Sequence, residues 1–232
     1  MALNLVRQID DRVPVRNILI SVSDKTGLET LVPGLVRCGR DVKLFSTGGT
    51  YTALAALLGE TLARRHLVAV SDYTGQPEMQ GGLVKTLDFK IYLGLLAETY
   101  NDAHQADLQR TQAVRLDMVV VNLYPFRQTV ARDGVTPEEA RTNIDIGGPC
   151  MVRASAKNYL RVASVTDPAD YGPLLEELSA PGGALGLETR FRLMQKAFRR
   201  TAVYDAAIAD HFAAVAPARV RGTYTFPARP SA

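Results

Sequence analysis

Residues 17–27, Asn-Ile-Leu-Ile-Ser-Val-Ser-Asp-Lys-Thr-Gly, join a β-branched apolar run to a polar turn. The apolar part, 17–23, has the length and composition of a buried strand. A helical pattern begins directly after the turn and runs from Leu28 to Arg37. A strand that passes through a polar turn into a helix is the repeating unit of α/β proteins.

The same unit recurs along the chain. Four further apolar runs have strand composition, at residues 42–46, 66–70, 116–122 and 161–166. Further helical patterns follow these strands, at residues 51–58, 101–112, 136–141, 167–178 and 188–214. This alternation predicts an α/β fold with a doubly wound, mostly parallel five-stranded sheet and a C-terminal helical extension.

We interpret the chain as one domain over residues 17–214. Residues 1–16 are predicted to be a polar lead-in, and the Pro- and Arg-rich residues 215–232 to be a loosely ordered tail. The glycine-rich segment 76–96 is predicted to be irregular, and 179–186 to be a loop. Of the 232 residues, 47% are hydrophobic, which is enough to build a core.

Composition argues against several classes of function. A net charge of +3 is too small to indicate nucleic acid or a membrane surface as a partner. The two cysteines form no CxxC pair and the three histidines are scattered, so we expect no metal site. No apolar run reaches the roughly 20 residues that span a bilayer, and acids occur too early for a signal peptide. We therefore expect a cytoplasmic protein.

Polar clusters follow the predicted strands, at residues 23–26, 47–50, 71–74 and 122–124. The carboxyl ends of parallel strands open on one edge of the sheet, where ligands bind. These clusters should therefore converge there on a ligand.

Two of these clusters have the composition of a phosphate site. Lys25 supplies charge, and Ser23 and Thr26 supply hydroxyl donors. Residues 47–50, Thr-Gly-Gly-Thr, let the backbone approach a ligand closely. Taken singly, each turn is better explained as an ordinary helix cap. Side by side at one sheet edge, they predict phosphate binding, although neither matches a P-loop or a GxGxxG fingerprint.

A second candidate region is 143–158, which begins Asn-Ile-Asp-Ile-Gly-Gly-Pro. Asp145 followed by two glycines and Pro149 is typical of a helix start, which can hold an anion or an oxyanion. The alternative is a capped core helix. Asp145 could hold the Tyr124 phenol as an acid/base group, and Lys157 could transfer a proton if its pKa were lowered.

The distance between Asp145 and Lys157 is a difficulty. Twelve positions in a straight helix span about 18 Å, too far for one small substrate. We therefore predict a break in the helix near residues 156–158 or 147–148, or the use of Lys157 across a dimer.

Eight motifs stand in order along residues 21–205: SVSDKTG (21–27), STGGT (46–50), SDYTGQPEM (71–79), VKTL (84–87), NLYPF (122–126), NIDIGGP (143–149), RASAKN (153–158) and KAFRRTAVYD (196–205). Over about residues 16–214 the chain resembles the IMP cyclohydrolase domain of the bifunctional purine biosynthesis enzyme, whose other half is AICAR transformylase. The resemblance implies a methylglyoxal-synthase-like fold and a homodimer. It also implies closure of the ring of 5-formamidoimidazole-4-carboxamide ribotide (FAICAR) to give IMP and water.

The resemblance also assigns site residues. It implies the catalytic residues Lys85, Tyr124, Asp145 and Lys157. The substrate-binding residues it implies are Ser23, Lys25, Thr26, Thr47, Gly48, Gly49, Thr50, Thr86, Asn122, Leu123, Ile146 and Gly147. No metal or organic cofactor is expected. Because the sequence ends soon after the long helix, we expect a separate protein to supply FAICAR.

The chain departs from the family pattern in the segment 83–94. Leu83 stands where the family has an arginine, and we consider Lys90 or Arg127 as a replacement cation. The alternative function is a non-catalytic purine-nucleotide-sensing domain, because the same fold resembles the allosteric domain of carbamoyl-phosphate synthetase. Methylglyoxal synthase itself is a third possibility, but no matching motif supports it.

Overall fold

The structure is a computed structural model that describes residues 5–39, 41–76 and 86–227. Its seven described strands are β1 Arg12–Pro14, β2 Asn17–Val22, β3 Lys43–Ser46, β4 Leu67–Ala69, β5 Met118–Asn122, β6 Ala163–Val165 and β7 Ala184–Gly186. Five of them form a parallel sheet in the order β4-β3-β2-β5-β6. The predicted five-stranded parallel sheet is confirmed.

The described helices are α1 Leu28–Cys38, α2 Gly48–His66, α3 Val70–Thr74, α4 Phe89–Leu96, α5 Asp102–Thr111, α6 Phe126–Val130, α7 Pro137–Thr142, α8 Gly147–Lys157, α9 Tyr171–Leu178, α10 Leu187–Ala213 and α11 Pro217–Thr223. A 3-10 turn, Pro168–Asp170, precedes α9. None of the helices in these described ranges combines the length and the apolar character needed to cross a bilayer.

Helices cover both faces of the sheet. Along β2, Ile18 and Ile20 face a core formed with α1, α2 and α9. Leu19 faces the opposite side, where it joins residues of α4, α8 and α10. This alternation follows from the two-residue period of a strand, and burial on both faces explains why the strand sequences are continuously apolar.

Five segments differ from the sequence predictions. Residues 12–14 of the predicted lead-in pair antiparallel with residues 184–186 of the predicted loop. Three-residue strands show no period that a sequence pattern could reveal. The Arg190 guanidinium supports the pair, because it donates to the Leu185 and Asp11 carbonyls.

The predicted irregular segment contains α4, and the predicted loose tail contains α11. Glycine at position 94 favoured an irregular prediction. The helix instead requires glycine at this position, because a Cβ atom there would lie 2.4 Å from the Val114 carbonyl oxygen. The prediction that α2 ends at residue 58 is also incomplete: the helix bends at Gly59 (φ 68°) and continues to His66.

Candidate active site

A cavity of about 470 Å³ opens at the carboxyl edge of the sheet, around the ends of β2, β3 and β5 and the start of α8. Twelve of the sixteen predicted site residues line it: Ser23, Lys25, Thr47, Gly48, Gly49, Thr50, Thr86, Asn122, Tyr124, Asp145, Ile146 and Gly147. Members of the predicted clusters 23–26, 47–50 and 122–124 therefore converge on one cavity. The predicted cluster 71–74 does not line it, because these residues form α3.

Lys25 is held at the base of the β2–α1 turn. Its Nζ donates to the Val22 carbonyl, to the Ser23 carbonyl at 3.3 Å and to the Thr50 hydroxyl at 3.2 Å. Burial lowers the pKa of Lys25, and the neighbouring Asp24 partly offsets this effect. The ammonium group is thereby fixed between β2 and the start of α2.

The start of α2 lacks a side-chain cap. Thr47 occupies the N-cap position, but its hydroxyl caps no N–H group. No described residue accepts a hydrogen bond from the N–H of Gly48 or Gly49. A helix start with open N–H groups beside a lysine is suited to an anion. This geometry disfavours the explanation of the Thr-Gly-Gly-Thr turn as an ordinary cap.

The β2–α1 turn is built differently. The Asn122 amide oxygen accepts from the N–H groups of Ser23 (2.6 Å) and Asp24 (2.9 Å), and its nitrogen donates to the Asp24 carbonyl at 2.7 Å. The Asp24 carboxylate in turn accepts from the N–H and hydroxyl of Thr26. Most main-chain donors of this turn are therefore occupied. Asn122 holds the turn in place, and Thr26 is exposed outside the cavity.

Asp145 precedes α8 and lines the cavity from the side opposite the β3–α2 turn across β2. Its Oδ1 accepts from the Gly148 N–H at 2.8 Å. Burial raises the pKa of Asp145, and the main-chain N–H groups of Gly148 and Tyr124 partly offset this. Asp145 thus interacts with the Tyr124 backbone, whereas the sequence analysis placed this interaction at the phenol.

Because Gly147 and Gly148 have no side chains, Thr86 and the Asp145 carboxylate can lie close to the backbone at the start of α8. A Cβ atom at Gly147 would lie 2.7 Å from the Thr86 hydroxyl oxygen, and one at Gly148 would lie 2.4 Å from Asp145 Oδ2. Pro149 has no N–H, and the Gly148 N–H is taken by Asp145. The N–H groups of Ile146 and Gly147, which donate to no described residue, are the open donors of this turn.

Of the other four predicted residues, three do not line this cavity. Leu123 is buried beneath Gly148 and lines a neighbouring cavity, and Thr26 is exposed. Lys85 lies outside the described residues. Lys157 is exposed at the far end of α8, which is unbroken from Gly147 to Lys157 and about 16 Å long. The helix begins and ends at the two places where a break was predicted. Because it is unbroken between them, Lys157 does not reach the cavity that Asp145 of the same chain lines.

A second cavity, of about 600 Å³, lies on the other side of Tyr124. Arg127 and Arg200 line it, and so does Tyr204 of α10. Lys90 instead donates to the Tyr73 carbonyl at 3.3 Å. Neither Lys90 nor Arg127 therefore lines the first cavity as a replacement for the cation absent at Leu83.

Tyr204 is a site residue that the sequence analysis did not single out. Its hydroxyl accepts a hydrogen bond from the Asp145 N–H at 2.8 Å. The signal for it was its place in the motif of residues 196–205, which had no assigned role. Among the described residues, no group of three or more His, Cys, Asp or Glu side chains could hold a metal ion.

A doubly wound parallel sheet whose carboxyl edge carries a half-buried carboxylate and a turn suited to an anion defines a class of small-ligand-binding α/β proteins. The chain belongs to the MGS-like domain family, whose model matches residues 27–150. Residues 155–229 match the family model of the AICARFT/IMPCHase bienzyme. The resemblance and the methylglyoxal-synthase-like fold inferred from the motifs are confirmed, and the match supports a role in purine biosynthesis.

A solved structure gives the same result for the fold. ForH, for which a crystal structure is known, is 33% identical in sequence to this chain, and the two structures compare with a TM-score of 0.73. The similarity covers 85% of this chain and 97% of the ForH chain. The two proteins therefore share one architecture over nearly all of the ForH chain.

Proposed function

We propose that the protein is an IMP cyclohydrolase that converts FAICAR to IMP and water. The observation that carries the proposal is the combination, in one cavity, of a turn suited to an anion with a half-buried carboxylate. Lys25 and the open N–H groups of α2 suit the 5′-phosphate of a ribotide. Asp145 and Tyr124 lie on the other side of β2, where the base of the same molecule would be placed.

The reaction forms one C–N bond and releases one water molecule. The carboxamide nitrogen attacks the formyl carbon and gives a tetrahedral intermediate. The carboxamide nitrogen and the formamide nitrogen each lose one proton, and the formyl oxygen leaves with both as water. Both reacting groups belong to one substrate, so correct placement supplies much of the rate acceleration.

Each proposed role matches the chemistry of its residue. Asp145 accepts the proton of the carboxamide nitrogen, because burial brings its pKa closer to neutrality than that of a free carboxylate. The Tyr124 phenol donates to the departing oxygen. The N–H groups of Ile146 and Gly147 stabilise the developing oxyanion.

We further propose that the protein acts as a homodimer and that Lys157 enters the site of the partner copy. Lys157 is too far from Asp145 of its own chain to share a substrate with it. Its exposure leaves it available to a second copy. Lys85 is proposed to line the cavity beside Thr86, which contacts Gly147.

The test is the absorbance change on mixing purified protein with FAICAR. Wild type should produce IMP, and Asp145→Asn should lower the turnover number about 100-fold or more. Asp133→Asn is the matched control, since Asp133 is an exposed aspartate outside the cavity. Absence of turnover by the wild type would rule out the cyclohydrolase activity.

One observation favours the alternative of a nucleotide-sensing domain. Among the described residues, Lys25 is the one cation that lines the cavity. A site with less positive charge could retain nucleotide binding without efficient ring closure. Binding of IMP without any conversion of FAICAR would support this alternative.

A further inference from the structure

We propose that Tyr204 is a positioning residue that fixes the catalytic Asp145 from the outside of the cavity. This inference rests on the proposed function and adds a residue to it. The Tyr204 hydroxyl bridges two positions of the chain just before α8. It accepts the Asp145 N–H at 2.8 Å and donates to the Asn143 carbonyl at 3.4 Å.

The bridge determines where the phenolic proton points. The hydroxyl carries one proton, and the Asp145 N–H approaches the oxygen as a donor. The proton is therefore directed at the Asn143 carbonyl, the acceptor within reach. The ordinary pKa of a tyrosine, about 10, already keeps the phenol protonated at neutral pH, and burial raises the pKa of Tyr204 further.

Tyr204 is itself held firmly. It lies in the middle of α10, the 27-residue helix that packs against α8 and β6. Its side chain is almost fully buried, and its ring makes an edge contact with Phe126 at a centroid distance of 6.3 Å. An anchor on a long, packed helix is stiffer than the loop that it holds.

Asp145 is consequently fixed at two points. Tyr204 holds its main-chain N–H, and the Gly148 N–H holds its carboxylate at 2.8 Å. Loss of the first contact would free the turn 143–146 and move the carboxylate relative to the substrate. Small displacements of a catalytic group lower the turnover number strongly.

The anion-binding turn is independent of this anchor. Lys25 contacts Val22 of β2, Ser23 of the β2–α1 turn and Thr50 of α2. A change at Tyr204 should therefore leave binding of the ribotide phosphate intact. The expected signature is a loss of kcat with an unchanged KM.

The experiment compares Tyr204→Phe with Tyr159→Phe. Tyr159 is a suitable control because its ring packs against Phe191, outside both cavities, and its phenol makes no hydrogen bond to a described residue. We expect Tyr204→Phe to lower kcat about tenfold or more, with KM for FAICAR and Kd for IMP within about twofold of wild type. Tyr159→Phe should match the wild type.

A double variant separates positioning from a general structural role. If Tyr204 acts through Asp145, adding Tyr204→Phe to Asp145→Asn should lower kcat no further. Additive losses, or a kcat for Tyr204→Phe within about twofold of wild type, would overturn the proposal. Parallel losses of kcat and IMP affinity would also overturn it.

A measurement that needs no turnover keeps this inference distinct from the proposed function. The Asp145 amide should exchange with deuterium faster in Tyr204→Phe than in wild type or Tyr159→Phe. Unchanged exchange would contradict the anchor even in an active enzyme. Inactivity of the wild type with FAICAR, together with faster exchange, would refute the cyclohydrolase activity and retain the anchor.

Discussion

The Gly148 N–H donates to Asp145 Oδ1 at 2.8 Å, and a Cβ atom at position 148 would lie 2.4 Å from Oδ2 of the same carboxylate. The second distance is far shorter than a van der Waals contact. The Cβ atom could not move away from the carboxylate, because the Leu123 side chain would lie 2.8 Å from it. Asp145 thus keeps its orientation only while residue 148 has no side chain.

Gly148→Ala should therefore displace the Asp145 carboxylate. We expect a large loss of FAICAR turnover together with a loss of about 1–3 kcal/mol in the free energy of unfolding, as for an overpacked core. Gly172→Ala is the matched control, because a Cβ atom there meets no atom of the described part of the chain within 4 Å. Turnover in Gly148→Ala equal to that of the control would remove the packing argument for Asp145.

Gly49, unlike Gly148, has room for a side chain. It lines the cavity in the first turn of α2, and a Cβ atom at this position would meet no atom of the described residues within 4 Å. Gly49→Ala should leave stability unchanged or raise it by about 0.5–1 kcal/mol, since alanine is favoured in helices. If phosphate lies against this turn, the added methyl group should weaken IMP binding about tenfold or more, measured by calorimetry. Unchanged affinity would exclude the turn from the phosphate site.

The pKa of Asp145 predicts a dependence of stability on pH. Burial raises it above its ordinary value of 3.8, so the ionised carboxylate destabilises the folded state. This penalty is complete above the folded-state pKa and disappears as the pH falls below the ordinary value. Asp145→Asn should therefore unfold at higher urea concentration than wild type at pH 7, and the difference should shrink toward pH 4.

The control for this titration is Asp133→Asn, which removes an exposed carboxylate. Its stability difference from wild type should stay small at every pH. A stability gain in Asp145→Asn that does not vary with pH would contradict a raised carboxyl pKa.

Much of this site could be predicted from sequence because it depends on residues that are close together along the chain. A buried strand followed by Ser23 and Lys25 gives both the sheet edge and the charge. The contacts of Tyr204 and the pairing of β1 with β7 depend on residues about 60 and 170 positions apart, and no local period encodes them. The sequence analysis noted that Lys157 is far from Asp145 along one helix, but motif order does not show the direction in which an 11-residue helix carries a residue, so the site that Lys157 serves stays a prediction.

Tyr92 should tolerate loss of its hydroxyl. The oxygen is buried, and its one described partner is the Cys150 thiol, a weak hydrogen-bonding group, so the hydroxyl is poorly satisfied, a state that is unfavourable by about 1–3 kcal/mol. Tyr92→Phe should thus keep or raise the free energy of unfolding. Tyr73→Phe is the matched comparison, because the Tyr73 hydroxyl accepts from the Val114 N–H at 2.9 Å, and its loss should destabilise by about 1 kcal/mol. Equal destabilisation of both variants would show that the Tyr92 hydroxyl is hydrogen-bonded in solution.

Lys157 offers a direct test of the proposed dimer. Asp145→Asn and Lys157→Ala should each be inactive alone if both groups serve every site. In a mixed dimer, however, the site that retains Asp145 would receive Lys157 from the partner copy. Random reassociation of equal amounts should then restore about one quarter of the wild-type sites, because half of the dimers are mixed and each has one complete site. A mixture no more active than its components would exclude Lys157 from the partner's site, and full activity of Lys157→Ala alone would exclude it from catalysis.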